Sequence, residues 1–288
     1  MYAPVADRVS PLLVLLEIRW RAATLRGAKL GAAGMSTLLI CLIVFILFMI
    51  AGYLGLQLQT RLAPEHKTGE TKGVVGQVAG LLTLLLALVL GTLIGVSYAY
   101  FSGQRTNLET FSAQVLRLDQ ALGQYGPETK PMRDKIKEGI VKAHDAIWGG
   151  GQVDPKLFTV AVPLANAQAT SEFLTTLEPK TDAQKAALST ANLYASMVEQ
   201  SRLLISLQIA AGPVSWFLIA ILVFWTASLF FGIGLYAEAN ALVYAALTFG
   251  ALSIAFAIFL ILEFGQPYTG LFKVTPAALE ETIEYIDK

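Results

Sequence analysis

Residues 74–101 read VVGQVAGLLTLLLALVLGTLIGVSYAYF, an apolar run without a single Asp, Glu, Lys or Arg. At about 1.5 Å per residue, roughly 20 helical residues cross a hydrocarbon core about 30 Å thick, so this stretch is long enough to span a membrane. Residues 37–56, 213–236 and 241–262 are runs of the same kind, equally free of those four residue types. Two pairs of spans therefore bracket a polar stretch. The expected fold is an all-α integral membrane protein, with four transmembrane helices in two pairs around a helical cytoplasmic domain. In chain order the segments are an amino-terminal cytoplasmic segment with an interfacial helix (1–34), the first pair (35–101) with an outer loop at 59–73, the cytoplasmic domain (102–212), the second pair (213–262) and a cytoplasmic tail with a short amphipathic helix (263–288).

Composition agrees with lipid as the solvent: 55% of residues are hydrophobic, 15% are charged, and the mean hydropathy is +0.59. Lys plus Arg equals Asp plus Glu at 21 each, so no net field recruits nucleic acid. The basic residues are unevenly placed. With the amino terminus inside, only Arg61, Lys67 and Lys72 fall on the outer side, and the other eighteen, among them Arg19, Arg21, Arg26, Arg105, Arg202 and Lys273, fall inside. The bias of short loops toward basic residues on the cytoplasmic side then places both termini and 102–212 in the cytoplasm. The single cysteine, Cys41, lies in the first span and forms no intrachain disulfide. A cleaved signal peptide is not expected, because the short apolar run 12–16 meets Glu17, Arg19 and Arg21; the mixture over Pro11–Arg26 suits a helix lying in the interface.

Helical periodicity organises the polar stretch into helices at 104–124, 130–148 and 183–211. In the first, which should continue directly from the second span, Leu108, Phe111, Val115, Leu118, Leu122 and Tyr125 recur in steps of three and four, the spacing of a coiled-coil seam. The last carries Leu188, Ala191, Ala195, Val198, Ile205 and Ile209, with Arg202 at the remaining seam position. If the two helices leave the membrane together at Phe101 and Pro213, Arg202 falls near position 112. That register offers Glu109 as its ion-pair partner, the alternative being a solvated guanidinium whose alkyl stem covers the seam. In the tail, Thr275 caps a helix with Pro276 at its first position, and Leu279, Ile283 and Ile286 supply an apolar face.

Three other features bear on function. Gly76, Gly80, Ala87, Gly91, Gly95 and Ala99 form a stripe of small residues along the second span, which lets a neighbouring helix approach closely. Packing within the chain is the first expectation for it, an oligomer interface or pore lining the second. Glu263, Gln266, Pro267 and Gly270 mark the end of the fourth span, where Pro and Gly end helical geometry and Glu263 holds a turn or attracts cations. His66 and His144 are isolated and no metal-ligand spacing exists. Gly149–Gly151 lack the Lys-Ser or Lys-Thr of a phosphate loop, and no nucleophile, base and orienting group are grouped, so no cofactor and no enzymatic activity are expected.

The block Leu262-Glu263-Phe264-Gly265-Gln266-Pro267-Tyr268-Thr269-Gly270-Leu271, followed by Val274-Thr275-Pro276, resembles the post-membrane signature of the bacterial membrane family called bestrophin-like. Tyr100-Phe101 through Asn107-Leu108-Glu109, and Arg202, Pro213 and Trp216, are similar to that family's flanks of spans two and three. The resemblance runs over most of 35–288. Glu263 and Gln266 stand where family members often carry Asp and Arg. The resemblance implies kinship with bestrophins, oligomeric anion channels with two helix pairs and a cytoplasmic helical region, although their acidic calcium clasp has no counterpart here.

Two functions follow. One is a homo-oligomeric ion channel, with membrane lipids, further copies of the chain and a permeant ion as partners. Its pore would be apolar or lined by hydroxyls such as Thr83, Thr92 and Ser97. The other is a nonconducting scaffold or sensor whose helical domain recruits a cytoplasmic protein. A proton-coupled transporter ranks below both, because the spans hold no carboxylate or histidine relay.

Overall fold

The computed structural model describes residues 37–61, 69–150, 153, 159 and 161–286, with side chains left aside at 70–72, 161–163 and 165. The interfacial helix expected over Pro11–Arg26, and His66 in the outer loop, lie outside them. Among the described residues the chain forms eight α-helices and no strand: α1 (Thr37–Arg61), α2 (Gly69–Tyr125), α3 (Lys130–Trp148), α4 (Ala161–Thr175), α5 (Asp182–Ala211), α6 (Trp216–Tyr236), α7 (Ala241–Phe264) and α8 (Ala277–Ile286), with a 3-10 turn at Pro127–Thr129. Four of these helices carry stretches long and apolar enough to cross a membrane.

The spans pack as α1 on α6 and α7, with α2 against α7 and α6. Their shared core holds Phe48, Leu222, Ile258 and Ile261, all at most 2% exposed, and Phe48 stacks on Phe230 at 5.5 Å. The closest approach uses glycine. A Cβ on Gly55 would collide with the carbonyl oxygen of Phe231, and one on Gly234 with that of Gly52, so α1 and α6 touch backbone to backbone.

α2 runs unbroken for 57 residues, about 85 Å at the standard rise, out of the membrane and into the polar domain. There its seam meets α5. Leu118 and Leu122 are buried against Ala191, with Leu188, Ala195 and Val198 packed alongside, and Val115 is buried in the adjoining cluster that Val198 also reaches. The antiparallel register derived from the membrane exits is the one observed, since Ser201 Oγ donates to Gln114 Oε1 at 2.7 Å and Asn107 Nδ2 to Gln208 Oε1 at 2.8 Å.

Helix ends follow local chemistry. α5 begins at Thr181, whose hydroxyl accepts from the Gln184 amide N–H, while the Gln184 side chain accepts from the Lys180 N–H, close to a capping box. Gly212, at a φ of 67°, and Pro213 break α5 from α6. α2 turns into α3 through Gly126, at a φ of 140°, and Thr129, whose hydroxyl donates to the carbonyls of Leu122 and Gly126. α8 starts one residue later than its cap signal suggested: the Pro276 carbonyl, rather than that of Thr275, accepts from the Leu279 and Glu280 N–H groups. It docks through Leu279, Ile283 and Ile286 onto Val115 and Ile140.

Candidate functional site

The residues after α7 build a compact junction where the spans meet the polar domain. Glu263 is 1% exposed, and its carboxylate turns back into the following loop to accept the backbone N–H groups of Leu271 and Phe272. A buried carboxylate is tolerated because donors surround it, here two amides that the loop would otherwise leave unpaired. Gly270 is required by this arrangement: a Cβ there would stand 2.5 Å from Glu263 Oε1 and 2.9 Å from the Gln266 carbonyl oxygen. The Pro267 carbonyl accepts from the Val274 N–H at 2.8 Å and closes the loop. Gln266 is partly exposed, and its backbone carbonyl accepts from the Gly270 N–H at 2.9 Å. The four residues thus form one structural turn, with the carboxylate facing inward.

That turn delivers Tyr268 to a polar cluster that runs from the buried Gln104 out to the exposed Gln208. Tyr268 donates to Gln104 Oε1 at 3.4 Å, Gln104 donates to Gln208 Oε1 at 2.6 Å, and Tyr100 donates to the Gln208 carbonyl at 3.2 Å. Gln104 is fully buried, so these bonds tie α2, α5 and the post-membrane loop together at one level. Burial pushes the phenol of Tyr268 well above the ordinary range. Around the cluster lies an aromatic layer in which Phe264 packs on Tyr98, Phe101 and Phe272, as befits a membrane boundary. Trp148 donates to the Val274 carbonyl and Lys273 to the Ile147 carbonyl, both at 2.9 Å, which anchors the loop to the carbonyl end of α3.

The sequence did not single out Gln104 or Gln208, yet a signal was present. They stand nearly opposite each other in the register fixed by Phe101 and Pro213, and a glutamine near a seam needs a partner. That register fails for the ion pair expected between Glu109 and Arg202. Glu109 follows the seam residue Leu108 and is therefore rotated by about 100° out of the interface. It pairs instead with Arg105, one turn away at 2.9 Å, and both are solvent-exposed. Arg202 faces α4, where the Asn166 side-chain oxygen, oriented toward the guanidinium, accepts from Nη1 at 3.0 Å and Nη2 at 3.1 Å.

The small-residue stripe is also placed differently from its first expectation. Gly76, Gly80, Ala87, Gly91, Gly95 and Ala99 are all exposed, and a Cβ on any of the four glycines would meet nothing within 4 Å. Close packing within the chain uses Gly52, Gly55 and Gly234 instead. In the most apolar stretch of α2 only 6% of residues are buried, against 22% in that of α1 and 39% in that of α7. Thr83 and Thr92 donate to the carbonyls of Ala79 and Leu88 in their own helix.

His144 links α3 to α8, with Nδ1 at 3.1 Å from Asp145 and Nε2 at 3.3 Å from Glu280 while its ring stacks on Trp148. Burial by itself lowers its pKa, but hydrogen bonds to the two carboxylates outweigh this and raise it above 6.5. A raised folded-state pKa means stabilisation fully present below pH 6.5 and lost as pH climbs through the folded value. Glu280→Gln is therefore expected to lower stability by roughly 0.5 kcal/mol at pH 6, as for other pairs reached by solvent, and by less at pH 8.5. Thermal unfolding of both forms at the two pH values checks this; an equal deficit at both would exclude the charged contact. Among the described residues no group of His, Cys, Asp and Glu is arranged to hold a metal ion.

No curated protein and no solved structure matches the chain. A family profile does: residues 46–279 match the bestrophin-like domain, from within α1 to within α8. That range takes in the second half of the first charge-free span, the whole of the other three, the polar helices between them and the Glu263–Gly270 turn, and on this match the chain belongs to the bestrophin-like family.

Proposed function

We propose that the chain is a homo-oligomeric ion channel of a bacterial inner membrane, with the polar domain and both termini in the cytoplasm. The observation that carries the reading is the open face of α2. A spanning helix that leaves six small residues uncovered is fitted either to helices of neighbouring subunits or to a narrow aqueous path, and a ring of subunits provides both. Family membership supports a pore-forming assembly, and the excess of basic residues on one side supports the orientation. In the polar domain Leu193, Met197, Leu204 and Leu207 line one exposed face of α5, apolar surface that water penalises unless another chain covers it.

The test is ion flux in liposomes under several salt gradients, with Gly91→Leu as the diagnostic variant. A Cβ at this position meets nothing within 4 Å in the chain, so helicity and melting should match the wild type while most of the flux is lost. Unchanged flux and unchanged assembly size would remove the α2 stripe from pore and interface alike. The exposed α5 face also favours a second reading, a scaffold that recruits a cytoplasmic protein. Absence of flux from correctly assembled protein, with a soluble partner whose binding Leu204→Glu abolishes, would establish that reading instead.

A further inference from the structure

The polar domain carries a half-open cavity of about 690 Å³ between α2, α3, α4 and α5, within the size range of small-molecule sites. Its walls are mainly apolar, with Leu108, Phe111, Val115, Leu174 and Ile205 among them. A guanidinium, that of Arg202, stands in this wall. Arg202 has five N–H donors, of which Asn166 takes two, and among the described residues no carboxylate lies within ion-pair distance of it. Burial accordingly draws its guanidinium below the ordinary pKa. Arg202 is half-buried; a charge partly withdrawn from water without a counter-ion carries a cost, and an anion entering the cavity would offset it.

The other charged groups lining the cavity leave this bias in place. Lys142 and Glu138 neutralise each other at 2.6 Å. Lys135 and Arg202 then face Glu199 alone, an excess of one positive charge. The remaining polar lining, including Asn192, Ser196 and Tyr268, supplies groups that orient a ligand without adding charge. Inorganic anions would satisfy the guanidinium but leave the apolar walls unfilled, and neutral hydrophobes would fill the walls but leave Arg202 uncompensated.

We propose that this cavity is a binding site for a small organic anion, a carboxylate attached to an aromatic or branched apolar body, with the carboxylate on Arg202 and the body against α2 and α4. The site is independent of whether the protein conducts ions. It also reaches Tyr268, so an occupant would touch the loop that connects the polar domain to the spans.

The experiment uses the full chain in lipid nanodiscs, with 2-naphthoate as probe, 2-naphthamide as its neutral counterpart, and empty discs subtracted for partitioning. Calorimetric titration is expected to show saturable binding of naphthoate to the wild type, with naphthamide and sodium chloride each weaker by about tenfold or more, the worth of one charge-assisted contact. Arg202→Gln should lose the same factor for naphthoate and leave naphthamide unchanged. Ala167→Trp, which keeps Arg202 but fills the cavity, should abolish binding of both, and it decides the matter if the first variant does not fold. The proposal is overturned if wild-type protein binds no naphthoate saturably, if Arg202→Gln binds it equally well, or if Ala167→Trp leaves its affinity unchanged.

Discussion

Gly234→Val is expected to be among the most damaging single substitutions in the membrane bundle, costing about 3 kcal/mol or more. The reason is that its neighbour is backbone and cannot yield. A Cβ at 234 would overlap the Gly52 carbonyl oxygen and come within 3.0 Å of the Leu56 amide nitrogen, and one at Gly55 would press on Phe231 and Leu235 in the same way. Even the smallest branched side chain must push α1 and α6 apart along the whole crossing, so the Phe48–Phe230 stack and the contacts of buried Leu56 and Leu229 loosen together. Gly91→Ala in α2 is the contrast. Nothing lies within 4 Å of the added methyl, and alanine favours the helix over glycine by about 1 kcal/mol. Detergent-solubilised wild type and both variants, unfolded thermally with helicity as the readout, should rank Gly91→Ala at or above wild type and Gly234→Val far below it. If Gly234→Val melts with the wild type, the backbone contact between α1 and α6 does not exist.

That contrast shows what the sequence could and could not convey. Spans were readable because a helix in hydrocarbon must satisfy its own backbone and exclude charge, which leaves long runs with no alternative interpretation. The seams of α2 and α5 were readable for a similar reason, since only one face of each can be buried against the other. Spacing alone, however, does not say which neighbour covers a stripe. The long, regular series on α2 was the conspicuous one, and it stays open, whereas three less regular glycines on α1 and α6 make the contact. Arg202 shows the same limit. Its register came from chain geometry, but its partner depended on α4, a helix not anticipated because AVPLANAQATSEFLT carries a proline near its start and no clear apolar period. The Glu263 turn lay between these extremes. Pro267 and Gly270 marked the chain reversal in the sequence, and only the folded structure reveals that the carboxylate satisfies Leu271 and Phe272.

A second large effect is expected at the corner between α2 and α3, and it should depend on which partner is removed. Asp119 and Arg133 form a two-pronged ion pair, with Nε to Oδ1 at 2.7 Å and Nη2 to Oδ2 at 2.8 Å. The two ends are unequally buried: the Asp119 side chain is 4% exposed and that of Arg133 36%. Arg133→Met leaves an unpaired carboxylate inside the seam beside Leu118 and Leu122, which should cost about 3–5 kcal/mol. Asp119→Ala releases a guanidinium that lies across Gly123 and can swing into water, and should cost only about 1–2 kcal/mol. Arg133→Lys should fall between, because an ammonium keeps the charge but cannot make the parallel pair of bonds. Denaturant unfolding of the three variants at neutral pH, followed through the helical signal, tests the order. Equal costs at Asp119 and Arg133 would mean that solvent reaches the carboxylate and that the corner is not held by a buried charge. The predicted asymmetry would instead identify desolvation of Asp119, rather than attraction between the ions, as what makes Arg133 indispensable to the α2–α3 corner.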